Sequence, residues 1–204
     1  HGYCITYLEV QDIRRVCPIV EPPIFGTISG VISTEGYQNL QGVSVDLIGL
    51  NTNHTAITTA MGGYVFVNLA KGFNLTVTPK LDKNPLNGVS TFDLLLIQKH
   101  ILGIQPLSSP YKMIAADVNN SKSISTIDMI QLRKLILNID QHFQNNTSWR
   151  FVDAAYVFPD PKNPWSAGFP ETVYVQLLSS VISANFVAIK IGDLNSSAKV
   201  NTSE

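Results

Sequence analysis

Three stretches of this sequence set acids, amides and hydroxyls at alternate positions, which is a pattern of oxygen ligands for a hard cation. In the twelve-residue stretch from Asp117 to Asp128, the side chains of Asp117, Asn119 and Ser121 fall at positions 1, 3 and 5. Ser123 offers its carbonyl at 7, Ser125 stands at 9 and Asp128 at 12. Calcium takes roughly six to eight oxygen ligands, and a twelve-residue loop delivers them from those same positions. From Asp82 to Asp93 the counterparts are Asp82, Asn84, the carbonyl of Gly88, Ser90 and Asp93. Leu86 at position 5 has no side-chain oxygen, so either this loop is distorted or Asn87 substitutes as a donor, and the site is expected to be the weaker or more irregular of the two. A third loop is read at the end of the chain, with Asp193, Asn195, Ser197, Asn201 and Glu204 at positions 1, 3, 5, 9 and 12. No helix follows Glu204 to hold the last acid in place.

The elements that position these oxygens repeat as well. Asp82–Ile104, DKNPLNGVSTFDLLLIQKHILGI, aligns without a gap on Asp117–Ile139, DVNNSKSISTIDMIQLRKLILNI. Each loop runs into an apolar segment of helical period. Helices are predicted near Phe92–Leu102 and Ile127–Leu137, stopped by Gly103 and Asn138, residue types favoured just past a helix end. Their core stripes are expected to be Leu94, Ile97, Ile101 and Leu102 on one and Ile130, Leu132, Leu135 and Ile136 on the other. His100 aligns with Leu135 and reads as a partly buried, hydrogen-bonded histidine rather than a ligand.

This doubled loop-helix pattern resembles a type I dockerin. The resemblance implies calcium at both loops and docking onto a cohesin-like protein. Specificity in that family lies at loop positions 10 and 11, here Thr91-Phe92 and Thr126-Ile127, whose near-symmetry permits either of two docked orientations. The sequence departs from the family in three ways: Asn87 and Lys122 replace the usual glycine at position 6, Pro85 and Leu86 enter the first loop, and a strand-rich extension follows the second helix.

Between Phe25 and Lys80 the period changes to two. Strands are predicted near Gly26–Ser33, Val43–Leu50, Ala56–Thr59, Tyr64–Val67 and Phe73–Pro79, with turns at Glu35-Gly36, Gln41-Gly42, Gly62-Gly63 and Lys71-Gly72. The text resembles the carboxypeptidase regulatory-like, transthyretin-like family through Gly26-Thr27-Ile28-Ser29-Gly30, Leu40-Gln41-Gly42-Val43 and Gly63-Tyr64-Val65-Phe66. That resemblance implies a non-catalytic stalk or spacer.

Before it, Tyr3–Gln11 alternates as a strand and resembles the last strand of an immunoglobulin-like repeat from large secreted bacterial surface proteins. Pro18, Pro22 and Pro23 make the stretch after it an extended linker. Cys4 and Cys17 are spaced so that a disulfide between them would close a small loop, worth about 3 kcal/mol in the chain-entropy picture. An orphan strand of this kind, Cys4, Ile5, Thr6, Tyr7, Leu8 and Val10, is suited to donation into the sheet of a neighbouring copy. After the helices, strands are expected near Trp149–Phe158, Thr172–Leu178 and Asn185–Ile191, forming a small sheet over the helix pair. Trp149 and Trp165 are read as packing anchors, with an aromatic platform for a cell-surface glycan as the alternative.

Charged residues make up 14% of the 204 and apolar ones 45%, with a net charge of -1. That balance leaves no electrostatic footprint for nucleic acid and no apolar run for membrane insertion. Calcium loops together with a cysteine pair fit an extracellular, secreted or cell-surface setting. No nucleophile elbow, phosphate loop or zinc signature is present, so an enzyme is not expected. A carboxylate pair such as Asp153 and Asp160 is the exception to test. The fold expected is mixed and mainly β: a strand and linker over 1–24, a small antiparallel β-sandwich over 25–80, and a dockerin-like loop-helix pair with a strand-rich extension over 81–204. Two roles are compatible with it. The preferred one is a structural subunit of a secreted fibre, joined head to tail in a filament by the N-terminal strand; the alternative is an anchoring module for a cohesin-like partner.

Overall fold

The computed structural model describes residues 25–49 and 52–201. The strand expected over Tyr3–Gln11, the linker, the Cys4–Cys17 pair and Glu204 lie outside them. The fold is mixed and mainly β, with two sheets and three helices among the described residues, the helices falling in the middle of the chain.

Strands β1 (Phe25–Thr34), β2 (Ser44–Gly49), β3 (Thr52–Ile57), β4 (Gly63–Ala70) and β5 (Asn74–Lys80) arise where the sequence alternates. Along β1 the buried positions are Gly26, Ile28, Gly30 and Ile32, the period of two that a half-buried strand imposes. Helices α1 (Thr91–Ile101), α2 (Pro110–Ala116) and α3 (Thr126–Ile136) follow, then β6 (Trp149–Asp153), β7 (Val173–Gln176), β8 (Val181–Ser183) and β9 (Phe186–Lys190).

The C-terminal strands do not build a separate sheet over the helices. They complete the sandwich. One sheet has the order β4-β1-β9-β6, with β8 also on β1, and both β8 and β9 run parallel to β1. The other is antiparallel, β3-β2-β5-β7. The physical reason is an exposed-edge problem: β1 and β5 would each leave an edge of unpaired N–H and C=O groups, and the late strands cover them. The boundary expected at residue 81 is therefore not a boundary of cores. Ile28, Val45, Leu47 and Val77 share one cluster with Trp149, Val175 and Phe186.

Gly30 is required by close approach. The Tyr64 hydroxyl donates to the Ala184 carbonyl directly over it, and a Cβ at Gly30 would collide with both.

A second core joins α1 to α3 through Leu94, Ile97, Leu132 and Leu135. The expected stripes are narrower than predicted, since Ile101, Leu102 and Ile130 are exposed. Both helices stop as expected. Gly103 and Asn138 take positive φ, and Ile104 and Ile139 donate back to Lys99 and Lys134, a Schellman closure. Helix α2, absent from the sequence reading, starts on a Ser109 cap with Pro110 at its first turn and packs Ile114 and Ala115 against Val152 and Ile189.

Candidate metal centre

The loop from Asp117 to Asp128 closes as its spacing predicts. Asp117 and Asp128 are both fully buried. One carboxylate oxygen of Asp117 accepts from the Ser121 amide and the other from the Lys122 amide, each at 2.8 Å. Asn119 Oδ1 accepts from the Ser121 amide at 3.0 Å, and the Ser121 hydroxyl donates to the Ser123 carbonyl at 3.3 Å. Asp128 accepts from the Asn119 and Ser125 amides at 3.1 and 2.8 Å. It also completes the capping box that starts α3, which fixes the acid at position 12 to a rigid helix.

Burial pushes the Asp117 carboxyl up, and the nearby Asp128 carboxylate adds to that, against the Ser121 and Lys122 amides and Arg150 that lower it. Two buried carboxylates, an amide, hydroxyls and carbonyls form an all-oxygen set. Such a set suits calcium and does not suit the softer transition metals. The loop is tied to the sandwich as well. Asn146 donates to the Asp117 carbonyl at 3.0 Å, and Arg150 bridges Asn120 to Glu171.

The first loop is different. Asp82, Lys83 and Asn84 are exposed. Asp82 Oδ1 accepts from the Ser148 amide and hydroxyl at 2.8 and 2.6 Å, so its carboxylate faces β6. Burial raises that carboxyl, but the Ser148 hydroxyl and amide outweigh it and hold the group below the usual carboxylate range. Asn87, expected to replace Leu86 as a donor, is committed elsewhere: its side chain donates to the Lys199 carbonyl at 2.8 Å and accepts from the Lys199 amide at 3.0 Å. Only the second half of the loop keeps its geometry. Asp93 is fully buried and accepts from the Ser90 amide and hydroxyl at 2.8 and 2.9 Å, the capping box of α1.

The third stretch was read as a self-contained loop, and its first half forms. Asp193 accepts from the Ser197 and Ala198 amides at 3.1 and 2.8 Å, and Asn195 Oδ1 from the Ser197 amide at 3.0 Å. Asn201, at position 9, is engaged elsewhere: its side chain accepts from the Gln41 amide at 3.1 Å and sits on the sandwich. Glu204, at position 12, lies outside the described residues. This segment meets the second half of the first loop: Ser197 Oγ donates to the Gly88 carbonyl at 2.9 Å, and the Leu194 amide to Asp93 Oδ1 at 2.8 Å.

Other expectations are placed as follows. His100 is half-buried and its Nδ1 accepts from the Leu107 amide at 3.2 Å, a satisfied histidine as read, with burial lowering its pKa. Trp149 is buried at 4% exposure, which removes it from any glycan platform. Asp153 and Asp160 each cap a local turn, at Ala155 and Lys162, and no bond joins them.

Residues 82–146 match the dockerin type I domain. Type I dockerin domains bind calcium, are non-catalytic binding modules and are extracellular or cell-surface components. The match covers roughly a third of this chain. Among solved structures, the TIE protein of Bacillus anthracis is 19% identical over 28% of this chain and 11% of its own, with a TM-score of 0.27. The C-terminal fragment of the pilus adhesin SpaC from Lactobacillus rhamnosus GG is 17% identical over 32% of this chain and 26% of its own, also at 0.27. This chain thus spans a small part of either structure. No curated protein matches it. Among the described residues, no helix is long and apolar enough to cross a membrane.

Proposed function

We propose that this chain is a calcium-stabilised, non-catalytic anchoring module that docks a cohesin-like protein through the outer faces of α1 and α3. The observation that carries the reading is a duplicated exposed apolar face. Phe92 and Ile127 are 49% and 55% exposed, Leu95 and Ile130 42% and 54%, Leu102 and Leu137 61% and 62%, and Ile104 and Ile139 69% and 66%. Each pair occupies equivalent positions of the two repeats. Thr91 and Thr126, the other positions at which the family sets specificity, are exposed too. The C-terminal strands, which were expected to cover this face, lie in the sandwich and leave it open.

Exposed apolar surface repeated in this way supports a partner site, and its repeat symmetry supports two docked orientations. The order of preference from the sequence is accordingly reversed: anchoring comes first. Calcium at Asp117–Asp128 holds the N-terminus of α3 in place and so shapes the face. Binding of the full chain to a panel of cohesin domains, in calcium and in chelator, tests this. Calcium-dependent binding supports it, and no binding to any of them while the chain remains folded rules it out.

The fibre reading keeps one observation in its favour. Strand β4 is an edge of its sheet, with Val65 and Val67 exposed at 54% and 58%, and such an edge accepts an added strand. Its donor, Tyr3–Gln11, lies outside the described residues. Polymerisation that survives deletion of His1–Gln11 would remove this reading.

A further inference from the structure

We infer that a second calcium is held by a composite loop, whose first half is Asp193, Asn195 and Ser197 and whose second half is the Gly88 carbonyl and Asp93. The inference rests on the calcium reading above. It replaces both the contiguous first loop and the self-contained third loop expected from the sequence.

The composite repeats most bonds of the Asp117 loop, with one donor moved: Asp93 accepts from the Leu194 amide, whereas Asp128 accepts from the amide of Asn119, one loop position later. Asp193 stands where Asp117 does, each accepting from the amides four and five residues on. Asn195 matches Asn119, and both accept from the amide two residues on at 3.0 Å. Ser197 donates to the carbonyl of Gly88, the repeat equivalent of Ser123, to which Ser121 donates. Asp93 matches Asp128, each starting a helix. The backbone agrees at position 4, where Ser196 and Asn120 have positive φ of 61° and 56° while the first loop has its own one position earlier, at Asn84; it differs at positions 6 and 7, where the positive φ of Lys122 and of Gly88 has no counterpart in the other loop. The duplicated loop lies inside the segment that matches a calcium-binding family.

Further observations point the same way. Leu194 and Val118, the second residues of the two loops, are buried at 1% and 0% in the α1–α3 core, while the first loop offers an exposed Lys83 at that position. An apolar residue there seats the loop against the helices, and a lysine cannot. Gly88 has φ +76°, and a Cβ would stand 2.6 Å from Ala198 Cα, so only glycine lets the halves meet. The buried carboxylates of Asp93 and Asp193 also have no ion-pair partner within 4 Å among the described residues. The nearby Lys190 ammonium donates to the carbonyls of Pro85 and Ile191, and its single charge acts on both carboxylates from beyond ion-pair distance. Two buried carboxylates facing one unpaired cation keep a net negative charge that a divalent ion neutralises.

The test is calcium stoichiometry of the full chain by calorimetry, with terbium luminescence as a second readout. Wild type should bind two ions, Asp117→Asn and Asp193→Asn one each, the double variant none, and Asp82→Asn two. Loss of an ion in Asp82→Asn with both retained in Asp193→Asn would overturn the composite site, as would a single wild-type ion lost in Asp117→Asn. A folded wild type that binds no calcium would instead sink the underlying calcium reading. Should Asp193→Asn fail to fold by circular dichroism, anomalous scattering from terbium in wild-type crystals decides the matter. Density beside Asp93 and Asp193 supports the proposal, and density beside Asp82 refutes it.

Discussion

The backbone amide of Leu194 donates to the Oδ1 of Asp93 at 2.8 Å, across 101 residues of sequence. Through that bond the segment leaving β9 enters the repeat that starts α1. Asn87 and Lys199 reinforce it with a reciprocal pair of bonds at 2.8 and 3.0 Å. The helix pair and the sandwich are thus joined at a loop whose halves stand 101 residues apart at this bond, and binding chemistry there is felt by both.

Calcium should raise thermal stability. A ligand that binds only the folded state contributes about 2.7 kcal/mol per site at a hundred times its Kd. For a chain of this size that is roughly 5–10 °C per site. Calorimetry in calcium and in chelator should show the gap, and Asp117→Ala should narrow it while changing little in chelator. Affinity should lie on the order of 10⁻⁵ to 10⁻³ M, since two carboxylates per loop is a modest charge. Identical melting with and without chelator would remove the metal from the account.

Docking should tolerate one face and not the loss of both. Phe92→Asp or Ile127→Asp alone leaves one of two equivalent orientations intact and should lower affinity for a cohesin about twofold. The double variant removes an anchor of about 2 kcal/mol from either orientation, roughly a thirtyfold loss or more. Surface plasmon resonance reads the difference. A single variant as weak as the double would show that only one orientation is used.

Gly30→Ala should destabilise the sandwich by about 3 kcal/mol, the upper range for overpacking, because the new methyl meets the Ala184 carbonyl and the Tyr64 hydroxyl. Gly36→Ala has open space around it and should stay within about 0.5 kcal/mol. Urea denaturation of the two variants checks the contrast.

Arg150→Lys keeps the charge and loses the fork. Arg150 holds both carboxylate oxygens of Glu171, at 2.8 and 2.9 Å, with Asn120 at 2.9 Å and the Phe169 ring under its guanidinium at 5.0 Å. Lysine supplies a point charge in place of that geometry. The loss should be about 1–2 kcal/mol by chemical denaturation, and an unchanged midpoint would mean that the network contributes nothing.

Much of this was legible in the sequence because it is local. Alternation marked four of the first five strands, whereas β3, expected at Ala56–Thr59, lies at Thr52–Ile57, where Thr-Asn-His-Thr does not alternate; the gapless repeat marked α1, α3 and the Asp117 loop. Helix α2 was missed at seven residues, too short for periodicity, although Ser109-Pro110 is a start signal. Strand β8 has three residues and no pattern of its own. The joining of β6–β9 to the sandwich is a pairing across the whole chain, which no local window reports. One signal for the composite loop was readable: Asp193-Leu194-Asn195 repeats Asp117-Val118-Asn119 with an apolar second residue, while Asp82-Lys83-Asn84 does not.

The parallel pairing of β1 with β8 and β9 also sets an order of folding. Ile32 finds its neighbour Phe186 roughly 150 residues downstream, and contacts of such long range form late because the chain between them must first be gathered in. The α1–α3 pair, by contrast, is close in sequence and can form early, drawing the two halves of the sandwich toward each other. Until β9 arrives, β1 waits with an open edge, and a chain halted before residue 186 has neither a closed sheet nor the Asp193 end of its last loop. Arrival of β9 and the Asp193 segment, rather than emergence of β1–β5, is therefore the step that commits this fold to its native state.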